Sequence, residues 1–126
     1  TNTALEEFMR FDAPLHLFER TATADTEVGG VAIKEGQKIA ALIGSANRDE
    51  TVFSAPESMD LTRDPNPHIG FGAGIHFCLG APLARLEMSV SLPALWERYP
   101  TMQLASDPVR RPTFVLRGYE SVAISV

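Results

Sequence analysis

The run Phe71-Gly72-Ala73-Gly74-Ile75-His76-Phe77-Cys78-Leu79-Gly80 constrains this chain more than any other stretch, and it holds the single cysteine of the sequence. Glycines at 72, 74 and 80 disfavour both helix and strand, so the run must form a tight loop. A lone cysteine is ordinarily a small buried hydrophobe. Here its neighbours point to a held thiolate. Directly after Cys78 comes Leu79-Gly80-Ala81-Pro82-Leu83-Ala84-Arg85-Leu86-Glu87, a helix opening with proline tolerated in its first turn. The positive end of that helix would lie close to the sulfur and favour its deprotonated form. Gly72 and Gly74 allow the backbone to turn sharply and approach a flat ligand, and Phe71 is placed to shield the sulfur from water.

Two other chemistries fit parts of this run. Gly72-Ala73-Gly74 could start a dinucleotide-binding fingerprint, but the third glycine would fall at Phe77, and Asp64-Pro65-Asn66-Pro67-His68 is a poor preceding strand. Cys78 could also be a nucleophile activated by His76. Such pairs usually meet from distant positions, and no third orienting residue stands out.

The remaining sequence narrows the class. At 126 residues the chain suits one domain, spanning 1–126. Lys and Arg number 11 against 16 acidic residues, a net charge of −5, which argues against a nucleic-acid partner. One cysteine leaves no internal disulfide and suits a reducing, cytoplasmic setting. There is no apolar run of membrane-spanning length and no signal-peptide pattern.

The pattern along the chain predicts an α+β fold. Thr3 and Glu6 form a capping box for a first helix with an apolar stripe of Leu5, Phe8 and Met9, ended by Pro14. Strands are expected at Phe18 to Thr23, Glu27-Val28, Val31 to Ile33 and Lys38 to Ile43, with Gly29-Gly30 as a hairpin turn. A short helix or turn follows at Gly44 to Asn47, then a polar, turn-rich meander to Ile69. A second long helix should run from about Ala81 to Tyr99, with Pro93 inside it. Two strands, Thr113 to Leu116 and Ser121 to Val126, are expected around Gly118. Glu7 and Arg10 lie three apart on one helix face, opposite the apolar stripe, and by pattern alone read as an exposed ion pair.

The Phe71–Gly80 run resembles the cysteine-ligand loop of the cytochrome P-450 family of heme-thiolate monooxygenases, and it matches every defining position of that loop. The resemblance implies heme b as cofactor, with Cys78 as axial iron ligand and Phe71, Gly72 and Gly80 around it. His76 and Arg20 would contact heme propionates. Glu7-Phe8-Met9-Arg10 is similar to the family's acid-x-x-arginine helix, where the pair is buried and joined by a meander arginine. Arg63 is the matching residue here. By the same resemblance, His16, Leu17, Phe18, Val115 and Leu116 would touch a small organic substrate. Arg85 would lie where a ferredoxin or flavoprotein electron donor docks, although on pattern alone it is a solvated arginine. His68 sits where the family often has a histidine, and a solvated loop histidine fits equally.

The resemblance covers the C-terminal part of the family's mainly-α fold. Nothing matches the long central helix that activates dioxygen, so the chain is expected to be a fragment or a natural truncation. With one heme face uncovered, it is expected to bind heme weakly and to lack productive oxygen chemistry alone. The implied parent activity inserts one oxygen atom from dioxygen into an organic substrate. The competing expectation is a non-enzymatic remnant that binds heme weakly or not at all.

Overall fold

The computed structural model describes residues 2–126. Helix α1 spans Asn2–Phe11 and packs against the long helix α3, Ala81–Arg98. The short helix α2 is Ile43–Ala46. Strands β1, Leu17–Thr21, and β4, Lys38–Leu42, pair antiparallel with Leu17 opposite Leu42. Between them lies the hairpin of β2, Thr26–Val28, and β3, Val31–Ile33. Its turn, Gly29-Gly30, has φ of +59° and +81°, the left-handed geometry that closes a twisted two-residue hairpin. The chain is thus α+β, with two main helices and small two-stranded antiparallel sheets among the described residues.

The C-terminal region departs from the expected pair of strands. Thr113–Leu116 is not a strand: the Thr113 hydroxyl donates to the Leu116 carbonyl at 2.5 Å and folds the segment back on itself. Leu116 instead forms an isolated bridge to Leu15, while His16 N–H donates to Val115 O at 2.9 Å. The stretch from Ser121 onward is divided between β7, Tyr119–Ser121, and β8, Ile124–Ser125. These pair with β6, Val109–Arg110, and β5, Gln103–Leu104, neither of which the sequence announces. Smaller shifts occur upstream. β1 begins one residue early and stops at Thr21; Ala22 still bonds across to Gln37 O, and its carbonyl accepts from Gly36 N–H, where φ of +81° turns the partner chain away. α1 already includes Asn2, so Thr3 lies inside the helix, and the Glu6 carboxylate binds His68 and Arg85. α3 runs through Pro93 and ends at Arg98.

The centre of the fold is polar. Its largest fully buried side chains are Arg10, Glu7 and Asn47, flanked by Leu5, Ala13, Ile43, Phe53, Phe71 and Ala81. Many large apolar side chains face outward, with Ile75 98% and Leu79 99% exposed. The accessible surface is 8993 Å² for 13.7 kDa, where a compact monomer of that mass exposes about 6,600 Å². No helix among the described residues is long and apolar enough to cross a membrane.

Candidate functional site: the cysteine loop and its supports

The cysteine loop closes on itself through short-range bonds. Cys78 N–H donates to Phe71 O at 2.8 Å, Gly72 N–H to Ile69 O at 2.8 Å and Phe77 N–H to Gly74 O at 3.0 Å. The Phe71–Cys78 bond brings the two ends of the turn together. Gly72 and Gly74 make this possible with φ of +76° and +61°. At Gly72 a methyl group would also sit 3.1 Å from the His76 carbonyl oxygen, so the position needs glycine twice over. Ala81 N–H donates to Cys78 O at 3.2 Å, joining the loop directly to the first turn of α3.

Cys78 is a free, exposed thiol. With His76, Phe71, Gly70, Phe18, Leu15, Pro14 and Met9 it lines a mainly apolar pocket of about 360 Å³. A methyl group at Gly80 would stand 3.9 Å from the sulfur, so glycine there leaves one side of Sγ clear. No three His, Cys, Asp or Glu side chains among the described residues cluster as a metal site. A metal held here would therefore take one soft protein ligand, the thiolate, and bring its other ligands with it. A single thiolate in an apolar cleft beside an imidazole suits an iron macrocycle with acidic substituents.

Arg20 stands at the edge of this site. It is exposed, its guanidinium donates to Glu19 O at 2.9 Å, and it lies 5.5 Å from the Phe18 ring centroid. Phe18 borders the pocket, whereas His16, Leu17, Val115 and Leu116 do not. His16 is turned aside. Its ring packs on Gly44, where a methyl group would come within 2.6 Å of Nδ1, and stands 3.8 Å from Asp12. Burial, followed by the Arg117 charge, lowers its pKa below the ordinary 6.5 and favours the neutral ring. Val115 and Leu116 lie exposed on the tail beside Leu15.

The pair Glu7 and Arg10 is not exposed. Both side chains are wholly buried, with Arg10 Nε 2.8 Å from Glu7 Oε2 and Arg10 Nη2 2.8 Å from Oε1. Arg63 Nε reaches Oε2 at 3.1 Å, Asn66 Nδ2 reaches it at 3.0 Å, and Asp60 N–H donates to Oε1 at 2.8 Å. Arg10 spends its remaining donors on the carbonyls of Asn47, Pro56 and Ser58. Burial alone would raise the Glu7 pKa; hydrogen bonds from Arg10 and Asp60 and the two arginine charges outweigh it, holding the carboxyl at about 2. The triad thus pins the meander to α1. Asn47 and Asn66 belong to this cluster, and no spacing in the sequence marks them. Asn47 Oδ1 also accepts from Ile69 N–H at 2.9 Å, carrying the cluster to the start of the cysteine loop.

Arg85 is not a freely solvated cation, although about a third of its side chain stays exposed. Its Nε and Nη2 clasp Glu6 at 2.6 and 2.7 Å, and its guanidinium lies 4.6 Å from the Phe71 ring centroid. The Glu6 bond raises the pKa of Arg85. His68 is buried, not a solvated loop residue, with 2% of its side chain exposed and Nε2 2.8 Å from Glu6 Oε2.

A glycine-shaped loop thus presents one thiol to an apolar cleft, and Asn47 ties that loop to a buried Glu–Arg–Arg cluster. The family description "Cytochrome P450" matches residues 1–117, and the chain belongs to that family. Putative cytochrome P450 YjiB of Bacillus subtilis is 53% identical over 103 residues, covering 82% of this chain and 26% of that protein. The biotin biosynthesis cytochrome P450 of the same organism is 41% identical over 124 residues, covering 98% of this chain and 31% of that protein. Among solved structures, P450BioI in complex with an acyl carrier protein ligated to hexadec-9Z-enoic acid superposes with a TM-score of 0.95 at 40% identity. That match covers 98% of this chain and 32% of the other. The bacillaene polyketide synthase cytochrome P450 PksS of Bacillus subtilis 168 gives 0.93 at 46% identity, covering 98% and 33%. The chain therefore spans about a quarter to a third of the length of these relatives. The α+β arrangement is part of the cytochrome P450 fold, and members of the family bind heme b.

Proposed function

We propose that residues 1–126 are the C-terminal, cofactor-gripping portion of a heme-thiolate monooxygenase, with Cys78 as the axial ligand of heme b. The observation that carries the reading is the pocket where Cys78, His76 and Phe71 stand together on a loop closed by the Phe71–Cys78 hydrogen bond. When bound, heme supplies reductive activation of dioxygen, by which one oxygen atom enters an organic substrate and the other leaves as water. The chain's residues hold and shield that group. Cys78 would donate thiolate sulfur from the turn that leads into α3. His76 lines the pocket and Arg20 stands at its edge, where each offers a donor to a carboxylate substituent. With heme bound, Phe71 would shield the sulfur from water, and Gly72 and Gly80 would keep the backbone clear of the ligand face. Glu7, Arg10 and Arg63 are structural. Leu15 and Phe18, with Val115 and Leu116 on the adjoining tail, form an apolar rim toward a small organic substrate, and His16 and Leu17 are its neighbours in the chain.

Electrons would come from a ferredoxin or flavoprotein in the cytoplasm, and no nucleic acid is involved. The excess surface of roughly 2,400 Å² beyond a compact monomer supports a chain that packs against further polypeptide to complete the fold. The same exposure favours a second reading, a remnant that binds heme weakly and turns nothing over. Reconstitution with heme, reduction and carbon monoxide test the first reading by the red-shifted Soret band of a thiolate-ligated ferrous complex. Turnover with a surrogate reductase then separates enzyme from remnant: no oxygenated product from a ligated protein favours the remnant.

A further inference from the structure

Adjacent carboxylates on α1 take separate tasks. Glu7 faces the meander, while Glu6 faces the cysteine loop and α3. His68 accepts a hydrogen bond from Gly70 N–H at Nδ1, 3.1 Å, so its ring proton is on Nε2, 2.8 Å from Glu6 Oε2. Glu6 receives the Arg85 guanidinium along two parallel bonds, which fixes the plane of that group. The Arg85 hydrogen bond, against opposing burial and with His68, holds Glu6 below the ordinary carboxylate range.

Phe71 is where these contacts converge. The residue is buried, its ring under Arg85 at 4.6 Å, with the His68 ring centroid at 6.1 Å and that of Phe77 at 6.4 Å. Its carbonyl meanwhile accepts from Cys78 N–H. The adjoining backbone packs closely on α1: a methyl group at Gly70 would lie 2.7 Å from Met9 O. Arg85 itself stands in the second turn of α3, the helix that begins just past Cys78.

We propose that Glu6, Arg85 and His68 are positioning residues for the Cys78 site: together they clamp the Phe71 ring, and the Glu6–Arg85 pair balances the charge behind that ring. This rests on the heme-ligation reading above. A cation left unbalanced on the far side of Phe71 would favour the reduced, less positive state of a bound heme, and removing the cation would favour the oxidised one. The two members of the pair should therefore act in opposite directions.

The test uses the complete polypeptide carrying this chain, loaded with heme and titrated with dithionite against a redox dye. Glu6→Gln should raise the midpoint potential, Arg85→Gln should lower it, and the double variant should return close to the unmodified value. All three should keep the red-shifted ferrous carbon monoxide band. Midpoints that do not move, or that move the same way in both single variants while ligation is kept, overturn the proposal alone. Absence of that band in the unmodified protein overturns the ligation reading and this inference with it. A heme-free readout covers variants that fail to fold: imidazole nitrogen NMR of the unmodified protein should show His68 protonated at Nε2, and an Nδ1-protonated ring contradicts the clamp.

Discussion

Replacing Glu7 by glutamine removes the one anion on which a buried cluster converges. Five donors end on this carboxylate: two from Arg10 and one each from Arg63, Asn66 and Asp60 N–H. An amide of the same size turns an NH₂ group toward at least one of those donors and leaves the two guanidinium groups without a counter-charge. Breaking a buried pair in this way costs about 3–5 kcal/mol. The titration gives an independent figure. Lowering the carboxyl from 4.5 to about 2 corresponds to about 3 kcal/mol of stability. Because the folded value is depressed, that stability is fully present above pH 4.5 and is lost as pH falls toward about 2. Urea unfolding followed by helical circular dichroism should show the midpoint of Glu7→Gln lowered by about 1–3 M near neutral pH. The gap to the unmodified protein should narrow as the pH falls below 4.5 and close at about 2 and below. A gap under about 1 kcal/mol at neutral pH, or one that persists unchanged into acid, refutes a charge-centred cluster.

Gly72→Ala should destabilise the loop by about 1–3 kcal/mol, since φ is +76° and the added methyl meets His76 O at 3.1 Å; unchanged thermal unfolding contradicts this. Arg20→Gln should leave the unfolding midpoint unmoved, because the side chain is exposed, yet speed heme transfer to a competing apoprotein several-fold. Equal transfer rates remove Arg20 from the cofactor contacts. Gly44→Ala pushes a methyl to 2.6 Å from the His16 ring and should cost about 1–3 kcal/mol in urea unfolding, with no such cost when His16 is shortened to alanine in the same chain.

Local chemistry was legible in the sequence and long-range polar packing was not. The cysteine loop could be read because its constraints lie within ten residues: two glycines with positive φ, a phenylalanine whose carbonyl meets the cysteine amide, and a helix start. Glu7 and Arg10 were placed on the outside by periodicity, since Leu5, Phe8 and Met9 mark the opposite face. Their burial comes from Asp60, Arg63 and Asn66, more than fifty positions away, and only the family resemblance supplied any part of it. Glu6 looked like the second half of a capping box, whereas its partners are His68 and Arg85, 62 and 79 positions on. In the tail, strands of two or three residues are too short to carry an alternating pattern, so β5 and β6 left no signal. The apolar run at Val115-Leu116 looked like a strand but is spent on a single bridge to Leu15.

The central claim is that Cys78 is the proximal thiolate of a bound heme, and carbon monoxide difference spectroscopy tests it most directly. Reduced in the presence of heme and carbon monoxide, the protein is expected to show the red-shifted Soret band of a thiolate-ligated ferrous complex, and Cys78→Ser is expected to lose it. A band present equally in both proteins, or absent from both, would contradict the claim.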